Sequence, residues 1–392
     1  MFTRSLDTGA FALPAPWDVR PRSVRCPHRY ELNVATAYYD RPDILDAWHR
    51  MLADATGPET LFQSPQFFSH LIDMDRGRDA NHELFIVRRS IDYAVVGVIP
   101  VRTLPCCIAF QAGPVPLFGQ TLRACQILGS VPLLAPAETG LAEFVMQQLL
   151  ARYAECDVLY LQAVPQDGVE AIAGMPAHVL KYVLNGWRAC HTQPLPDSVD
   201  AYLKSFSAKK RYNLSRQVRL LTEAAGPLHV LRIDQPGQVT AMLDAMVATD
   251  ASRAAGRADE QARLESLARH GLLLSYVIRC GENDVAVVYG MRSASVWHVY
   301  KILCRQDYMH LSVGTSAIHL AVQDVLAHFR FDHIDFGYGT PHAEFRSTHV
   351  LQTRGLVLLH RAHGRTAWLL KAHGRYDVLN GALIRLVKRL RK

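Results

Sequence analysis

The chain has 392 residues, of which 49 % are hydrophobic and 20 % are charged, and its formal net charge is +7. This is ordinary composition for a globular protein of two or three domains, and the basic charge favours anionic partners such as phosphates, nucleic acid or a membrane surface. No apolar stretch is long enough for a membrane span, no signal-peptide core is present, and the eight cysteines form no CxxC pair, so the sequence predicts a cytoplasmic protein with buried thiols.

Periodicity predicts alternating strands and helices in the first half of the chain. Residues 1–28 are rich in Pro and Arg and predict an irregular segment. Ser64 is expected to cap a helix that has Pro65 at its first position. The predicted elements are a strand at 29–37, helices at 41–55 and 64–74, a hairpin at 82–103, a helix at 139–155 and a strand at 156–164.

The second half repeats this order of elements. Ser207 is expected to cap a helix that ends at Gly226-Pro227. The predicted elements are helices at 238–251, 260–271 and 312–329, strands at 227–233, 272–280, 284–293, 295–304, 331–339 and 354–361, and a closing basic helix. Hairpin, helix and short strand occur at 82–164 and again at 284–339, which indicates a weak internal repeat. We place the domain boundary near 184–196.

Residues 300–348 are the most informative stretch for function. A strand is followed by a turn, and Ser312-Val313-Gly314-Thr315-Ser316 then opens a helix. Glycine permits a close approach of the backbone to a ligand, and free N–H groups at a helix start attract anions. One glycine is far short of a phosphate-binding fingerprint, so an ordinary helix start is the competing interpretation.

This stretch resembles acetyltransferases of the GNAT superfamily, and in particular their FemAB-like, cellulose-biosynthesis-associated branch. The motifs that carry the resemblance, in chain order, are Phe62-Gln63-Ser64-Pro65, the segment from Ser207 to Arg216, Tyr300, Asp307-Tyr308-Met309, Ser312-Val313-Gly314, and Asp335-Phe336-Gly337-Tyr338-Gly339. Val313 replaces the usual Pro, and Phe345-Arg346 replaces a Tyr-Lys pair with shifted spacing. Arg346 keeps a positive charge that can contact an anion, but unlike lysine it cannot supply a neutral amine.

The resemblance implies an α/β fold made of tandem GNAT-like domains, each a mixed and mainly antiparallel sheet flanked by helices. We expect the N-terminal domain over residues 29–190, the C-terminal domain over 191–365 and a basic amphipathic helix over 366–392. It further implies that residues 312–316 bind acyl-CoA, which is a co-substrate and not a permanently bound cofactor. No metal is expected.

The implied reaction transfers an acyl group from a thioester directly to an amine, at two neighbouring strands that diverge near 298–304 and 333–338. This reaction needs correct orientation of the two substrates, a hydrogen-bond donor for the developing oxyanion and removal of a proton from the ammonium. The candidate bases are Asp335, Glu344, His333 and His342. Tyr300 and Tyr338 are candidates to protonate the thiolate. Each residue also has a structural interpretation: Asp335 can brace a strand end, His333 and Tyr300 can belong to the core, and His342 and Glu344 can lie on a surface loop.

The segment SFSAKKRYNLSRQVRLL at 205–221 predicts a cationic helix, and no carboxylate lies within it. It can be a solvated face, a nucleic-acid helix, a membrane-surface helix or a phosphate-binding face. Its apolar stripe of Leu214, Val218 and Leu221 indicates docking on a core. The resemblance favours an anionic or phosphorylated acceptor, and it implies that the acceptor contacts are Lys209, Arg211, Asn213, Arg216 and Arg346.

The C-terminal segment ALIRLVKRLRK at 382–392 is a second cationic feature, which can pack on the body or contact anionic lipid.

Acceptors compatible with the sequence are an amino sugar, a polysaccharide precursor, a small metabolite or a peptide. Two alternatives stay open: a FemAB-like transferase that uses aminoacyl-tRNA, and a non-catalytic nucleic-acid or membrane adaptor on a degenerate acyltransferase fold.

Overall fold

The structure is a computed structural model that describes residues 29–55, 57–112, 115–136, 138, 140–168, 178–338 and 349–390. The predicted irregular segment 1–28 lies outside the described residues, as do the site candidates His342, Glu344 and Arg346.

Nine helices are described, and the predicted ones all form. They are α1 (Pro42–Asp54), α2 (Pro65–Met74), α3 (Leu141–Arg152), α4 (Val199–Lys204), α5 (Ala208–Ala225), α6 (Val239–Thr249), α7 (Arg257–Arg269), α8 (Val313–His328) and α9 (Arg365–Leu390). The predicted caps also form, because the Ser64 hydroxyl accepts a hydrogen bond from the Phe67 amide at 3.1 Å and the Ser207 hydroxyl accepts one from the Lys210 amide at 3.3 Å. Gly226 ends α5 with a φ of 97°.

The strands of the described chain form one mixed sheet of 13 strands. They are β1 (Tyr30–Val34), β2 (Asn81–Arg89), β3 (Val95–Ala112), β4 (Val115–Ile127), β5 (Leu133–Leu134), β6 (Val158–Pro165), β7 (Val179–Pro194), β8 (Leu228–Ile233), β9 (Ser275–Cys280), β10 (Asn283–Arg292), β11 (Val296–Cys304), β12 (His333–Tyr338) and β13 (His349–Arg361). Their order is β1-β2-β3-β4-β6-β13-β7-β12-β11-β10-β9-β8, and β5 pairs with β3.

The sheet has matching halves, as the predicted internal repeat requires. In the first half β6 pairs in parallel with β4, and in the second half β12 pairs in parallel with β11. The strands 158–165 and 333–338 therefore occupy equivalent positions. At the centre β13 pairs with both β6 and β7, and β7 also pairs with β12. The halves thus share one uninterrupted sheet.

The strands differ from the prediction in number and in length. Strands β4, β5 and β7 are absent from it, and β3 and β13 are longer than predicted. Strand β7 is interrupted by Asn185 and Gly186, which have φ values of 59° and 72°. This left-handed pair breaks the alternation of apolar and polar residues by which a strand is recognised. The sequence of the segment therefore resembles a domain boundary, although β7 pairs with strands of both halves of the sheet. The predicted domain bounds stay a prediction.

Two apolar cores cover opposite faces of the second half-sheet. Trp297, Val299 and Ile334 pack with α8 on one face. Tyr289 and Met291 pack with α6 and α7 on the other. Since successive strand residues point to opposite faces, these assignments also fix the faces of the residues between them.

Helices α5 and α9 show how the two cationic segments are attached. Leu214 and Leu221 of α5 are buried, and α5 packs against α8, which confirms that the apolar stripe docks on a core. Helix α9 packs through Leu370 but leaves Trp368 71 % exposed and Leu379 69 % exposed. In the described residues no helix has the length and apolar character needed to cross a membrane. Contact of α9 with a membrane surface stays a prediction.

We predict that Gly290→Ala destabilises the protein, by roughly 1–3 kcal/mol, because it overpacks a rigid site. A Cβ atom at Gly290 would lie 2.6 Å from the His298 carbonyl oxygen, 2.8 Å from the Trp297 Nε1 and 2.9 Å from the Leu274 carbonyl oxygen. Urea unfolding measures the change. Gly237→Ala is the matched control, since a Cβ atom there meets nothing within 4 Å. Equal unfolding midpoints for the two variants would contradict the prediction.

Candidate functional site

The parallel strands β11 and β12 are paired over only three residues and then diverge. Their register runs from Val296 opposite His333 to His298 opposite Asp335, although β11 continues to Cys304 and β12 continues to Tyr338. Backbone groups beyond the last pair are therefore released from the ladder. A gap of this kind, edged by strand backbone, offers a ligand both hydrogen-bonding groups and access from the two faces.

A bulge next to the gap adds one residue to β11. Tyr289 of β10 pairs with Lys301 and Gly290 pairs with Val299, so Tyr300 has no partner in the ladder. Bulges re-aim side chains and are frequent beside active sites. The Tyr300 ring lies against Tyr289, with centroids 5.7 Å apart, and stacks on His298, with centroids 6.5 Å apart and an interplanar angle of 18°.

His298 and Asp335 form a buried pair at the last paired position. Asp335 is 6 % exposed and His298 is 3 % exposed. The His298 Nδ1 lies 3.3 Å from the Asp335 Oδ2. Asp335 also accepts hydrogen bonds from the Cys190 thiol at 3.3 Å and from the Gly337 amide at 2.8 Å. A hydrogen bond between Asp335 and the His298 Nδ1–H leaves the Nε2 as the free acceptor of the ring.

The environment of Asp335 keeps this carboxyl ionised. Burial opposes ionisation, but the hydrogen bond and charge of His298, the Gly337 amide and the charge of Arg354 outweigh burial, so the pKa of Asp335 lies below its usual value. The Nε2 of His298 is buried and makes no hydrogen bond with any described residue. Such an atom is uncommon in a folded protein and indicates a place where a ligand or water binds. Sequence analysis missed His298.

Helix α8 begins on the other face of the sheet. Ser312 precedes it with a φ of 58° and provides no side-chain cap, while its carbonyl accepts the amides of Thr315 and Ser316. Val313 is buried in the core and Ser316 is 1 % exposed. Thr315 is exposed. Within the predicted coenzyme segment, the hydroxyl of the exposed Thr315 and the first-turn amides that Ser312 does not bind are the groups that can meet an anion.

A cavity of about 310 Å³, the α8-side cavity, lies beside the start of α8. Its lining includes Phe206, Lys210, Thr315, His319, Ile334 and Phe336. The Lys210 Nζ lies 4.4 Å from the centroid of the Phe206 ring. This cavity therefore combines an apolar floor, Thr315 from the first turn of α8 and one cation.

A second cavity of about 320 Å³, the α7-side cavity, lies on the opposite face between β10, β11 and the loop that joins α6 to α7. Its lining includes Arg253, Glu260, Arg263, Tyr289 and Lys301. His298 and Asp335 are on the same face, since their neighbours Trp297 and Ile334 pack towards α8. The two cavities thus lie on opposite faces of the sheet, the α8-side cavity against Ile334 and Phe336 of β12 and the α7-side cavity against Lys301 of β11.

Comparison with known proteins identifies the fold. Residues 208–346 match the family model of the acetyltransferase (GNAT) domain. Similar solved structures include FemX, at 11 % identity over 87 % of this chain and 99 % of that chain with a TM-score of 0.56. They also include a tandem GNAT protein from the clavulanic acid biosynthesis pathway, at 13 % identity over 86 % of this chain and 99 % of that chain with a TM-score of 0.50. The chain has a tandem GNAT fold. No curated protein matches the sequence.

The predicted α/β fold with a mixed, mainly antiparallel sheet is therefore confirmed. The residues that match the GNAT family model include the β11–β12 gap and α8. They therefore include the predicted site residues Tyr300, 312–316, Asp335 and Tyr338. Placement in the cellulose-biosynthesis-associated branch stays a prediction.

The predicted catalytic residues that the structure describes lie around the β11–β12 gap. Asp335 and Tyr300 are linked through His298. Tyr338 ends β12, and the Arg188 guanidinium lies 4.5 Å from its ring centroid. Burial raises the pKa of Tyr338, so its hydroxyl keeps its proton at neutral pH. His333 faces the same side as Asp335, and burial lowers its pKa.

The predicted acceptor residues lie along α5. Lys209, Asn213 and Arg216 are exposed, whereas the Arg211 Nη1 donates to the Phe206 carbonyl at 2.6 Å and so helps to hold the start of the helix. Glu223, just beyond the cationic segment, lies 3.6 Å from the Arg219 Nε. The α5 cation that lines a cavity is Lys210, which the sequence analysis did not select for this role.

We predict that Asp335→Asn destabilises the protein by about 1–3 kcal/mol at neutral pH, through loss of hydrogen bonds to a buried charge. Because the folded pKa of Asp335 is lowered, its ionisation stabilises the native state above the unfolded pKa of about 3.9 and this stabilisation is lost as the pH falls through the folded pKa. The difference from wild type should therefore shrink in acid.

Urea unfolding at pH 7 and at a series of acidic pH values measures this. Asp307→Asn is the matched control, since that side chain is 71 % exposed. A wild-type-to-variant difference that is the same at every pH would contradict the prediction.

Proposed function

We propose that the protein is an N-acyltransferase that moves an acyl group from acyl-CoA to an amine of an acceptor. The observation that carries the proposal is the buried His298–Asp335 pair at the point where β11 and β12 diverge, between cavities on the two faces of the sheet. A base with a free ring nitrogen at such a gap suits proton removal from an attacking amine.

The α8-side cavity is the proposed donor site. Coenzyme A carries phosphate groups, and a helix start with free amides and a positive dipole end favours them. Thr315 adds a hydroxyl donor and Lys210 adds a positive charge beside it. The Lys210 side chain is the reason that we assign the start of α5 to the donor. The acceptor role that the sequence predicts for the exposed Lys209, Asn213 and Arg216 stays a prediction.

The proposed chemistry is a direct transfer in a ternary complex. The amine nitrogen attacks the thioester carbonyl, a C–N bond forms and the carbonyl oxygen becomes an oxyanion. Backbone N–H groups released beside the bulge can stabilise that oxyanion. The oxyanion collapses, the C–S bond breaks and the thiolate leaves. The ammonium proton passes to the Nε2 of His298, and a tyrosine hydroxyl returns a proton to the thiolate.

Asp335 acts on this reaction through His298. Its low pKa makes it a weak base, but its charge fixes the ring of His298 and stabilises the imidazolium that forms. Tyr300 stacks on His298, and desolvation raises the pKa of its hydroxyl, which therefore keeps a proton to donate. Tyr338 is the second proposed donor to the thiolate.

We predict that coenzyme A raises the melting temperature of the protein, because a ligand that binds the native state stabilises it by RT ln(1 + [L]/Kd). Gly314→Leu and Lys210→Ala should each weaken this response, the first by obstructing the helix start and the second by removing a cation. Lys209→Ala is the matched control, since it removes a neighbouring charge that does not line the cavity.

A thermal shift series with coenzyme A, acetyl-CoA and tRNA separates the alternatives. No response to a thioester with a clear response to tRNA would support an aminoacyl-tRNA-dependent transferase. Binding of nucleic acid or lipid vesicles, without thioester turnover in the presence of any amine, would support the adaptor. A response unchanged in Gly314→Leu would exclude residues 312–316 from the site.

We predict that His298→Ala lowers kcat by roughly 10²- to 10⁴-fold, the usual contribution of a general base. Release of thiol from acetyl-CoA, with the best acceptor from a panel of amino sugars and amino acids, measures the rate. An unchanged thermal shift with coenzyme A shows that the variant is folded, and near-normal turnover would contradict the assignment.

A further inference from the structure

The α7-side cavity contains more positive than negative charge. Arg253, Arg263 and Lys301 contribute cations to its lining, and Glu260 contributes a carboxylate. The Arg263 Nη2 lies 2.6 Å from Glu260, and its Nη1 donates to the Tyr289 hydroxyl at 2.8 Å. Arg263 is therefore occupied by protein partners and mainly shapes the wall.

The other two cations are less constrained. The Arg253 Nε lies 3.5 Å from Asp250 and makes no hydrogen bond with a described residue. Lys301 is exposed, and its side chain has neither a hydrogen bond nor an ion pair within the described part of the chain. With Asp250 and Glu260 counted against the three cations, the cavity has one uncompensated positive charge, which we assign to Lys301.

Lys301 is placed close to the proposed reaction centre by the strand geometry. It follows the bulge residue Tyr300 on β11 and pairs with Tyr289 on β10. Tyr289 lines the cavity and lies against Tyr300, which stacks on His298. A continuous row of side chains therefore joins the cavity to the His298–Asp335 pair, on the face opposite the proposed donor site.

We propose that the α7-side cavity binds the acceptor, an inference that rests on the proposed function. The acceptor is a small amine that carries one carboxylate, and Lys301 and Arg253 hold this carboxylate. A volume of about 320 Å³ is at the small end of ligand pockets and suits an amino acid or a similar metabolite. One uncompensated positive charge balances a monoanionic carboxylate, whereas a phosphate monoester carries up to two negative charges at neutral pH.

The test compares acceptors that carry different anionic groups or none. Amino acids, their methyl esters, phosphoethanolamine and glucosamine are assayed with acetyl-CoA by thiol release. We expect free amino acids to be used with a kcat/KM at least about 10-fold above that of their esters, since a charge-assisted hydrogen bond is lost in the ester. Equal use of acids and esters, or preferential use of phosphoethanolamine or glucosamine, would overturn the proposal.

Variants then locate the charge that gives this preference. Lys301→Ala should raise the KM for the amino acid by about 10- to 100-fold and remove the preference over the ester, while Lys301→Arg should restore most of it. The KM for acetyl-CoA should not change. Arg76→Ala is the control, since that side chain is 80 % exposed and lies outside the cavity. An unchanged acceptor KM in Lys301→Ala, or a rise in Lys209→Ala instead, would place the acceptor elsewhere.

Failure of this inference is distinct from failure of the proposed function. If no amine is acylated and coenzyme A does not stabilise the protein, the transferase proposal fails and the acceptor proposal fails with it. If coenzyme A binds and an amine is acylated without dependence on Lys301, only the acceptor proposal fails.

Discussion

The short pairing between β11 and β12 controls the arrangement of the rest of the site. Two parallel strands at the centre of a sheet normally continue their ladder, because unpaired backbone groups are costly to bury. Here the ladder stops at His298 and Asp335, and the bulge at Tyr300 turns β11 away. The side chains of the last pair consequently border an opening. Helix α8, which connects the two strands, begins beside that same opening, so the proposed donor site and the buried His298–Asp335 pair border one opening.

The buried charge of Asp335 links this opening to the whole sheet. An ionised carboxylate that is 6 % exposed is tolerated only with several partners. These come from three strands: the Cys190 thiol on β7, His298 on β11 and the Gly337 amide on β12. The charge of Arg354 on β13 also favours ionisation. Since β13 in turn pairs with β6, the strand that carries Arg354 is held in the sheet by a strand of the first half. A GNAT domain cut from this protein at the middle of the chain would lose part of that support.

Local patterns in the sequence were sufficient for most elements and insufficient for the pairing between distant strands. The helix starts at Ser64 and Ser207 were predictable because a cap is a contact between residues three apart. Strand β7 was not, because Asn185-Gly186 interrupts its alternation and its partners lie far away in the chain. His298 was missed for a similar reason. It looks like one polar residue in an apolar strand, and its importance comes from the register that places it opposite Asp335, 37 residues later. The bulge that exposes Lys301 on the same face as Tyr289 likewise depends on pairing with β10.

The distribution of charge around the opening explains how two anionic substrates could be kept apart. Lys210 belongs to the α8-side cavity and Lys301 to the α7-side cavity, and the sheet lies between them. In the proposed transfer each cation attracts one substrate to one face, and only the reacting ends have to meet at the gap. Simultaneous binding on two faces turns a bimolecular encounter into a reaction between held groups, which can account for much of the acceleration of an enzyme. For the proposed transfer, the amine is delivered on the face that carries His298, where its proton can be removed, and the thioester is delivered from the face that holds the coenzyme phosphates. The weak base Asp335 and the free nitrogen of His298 are thus on the side where the chemistry requires a proton acceptor.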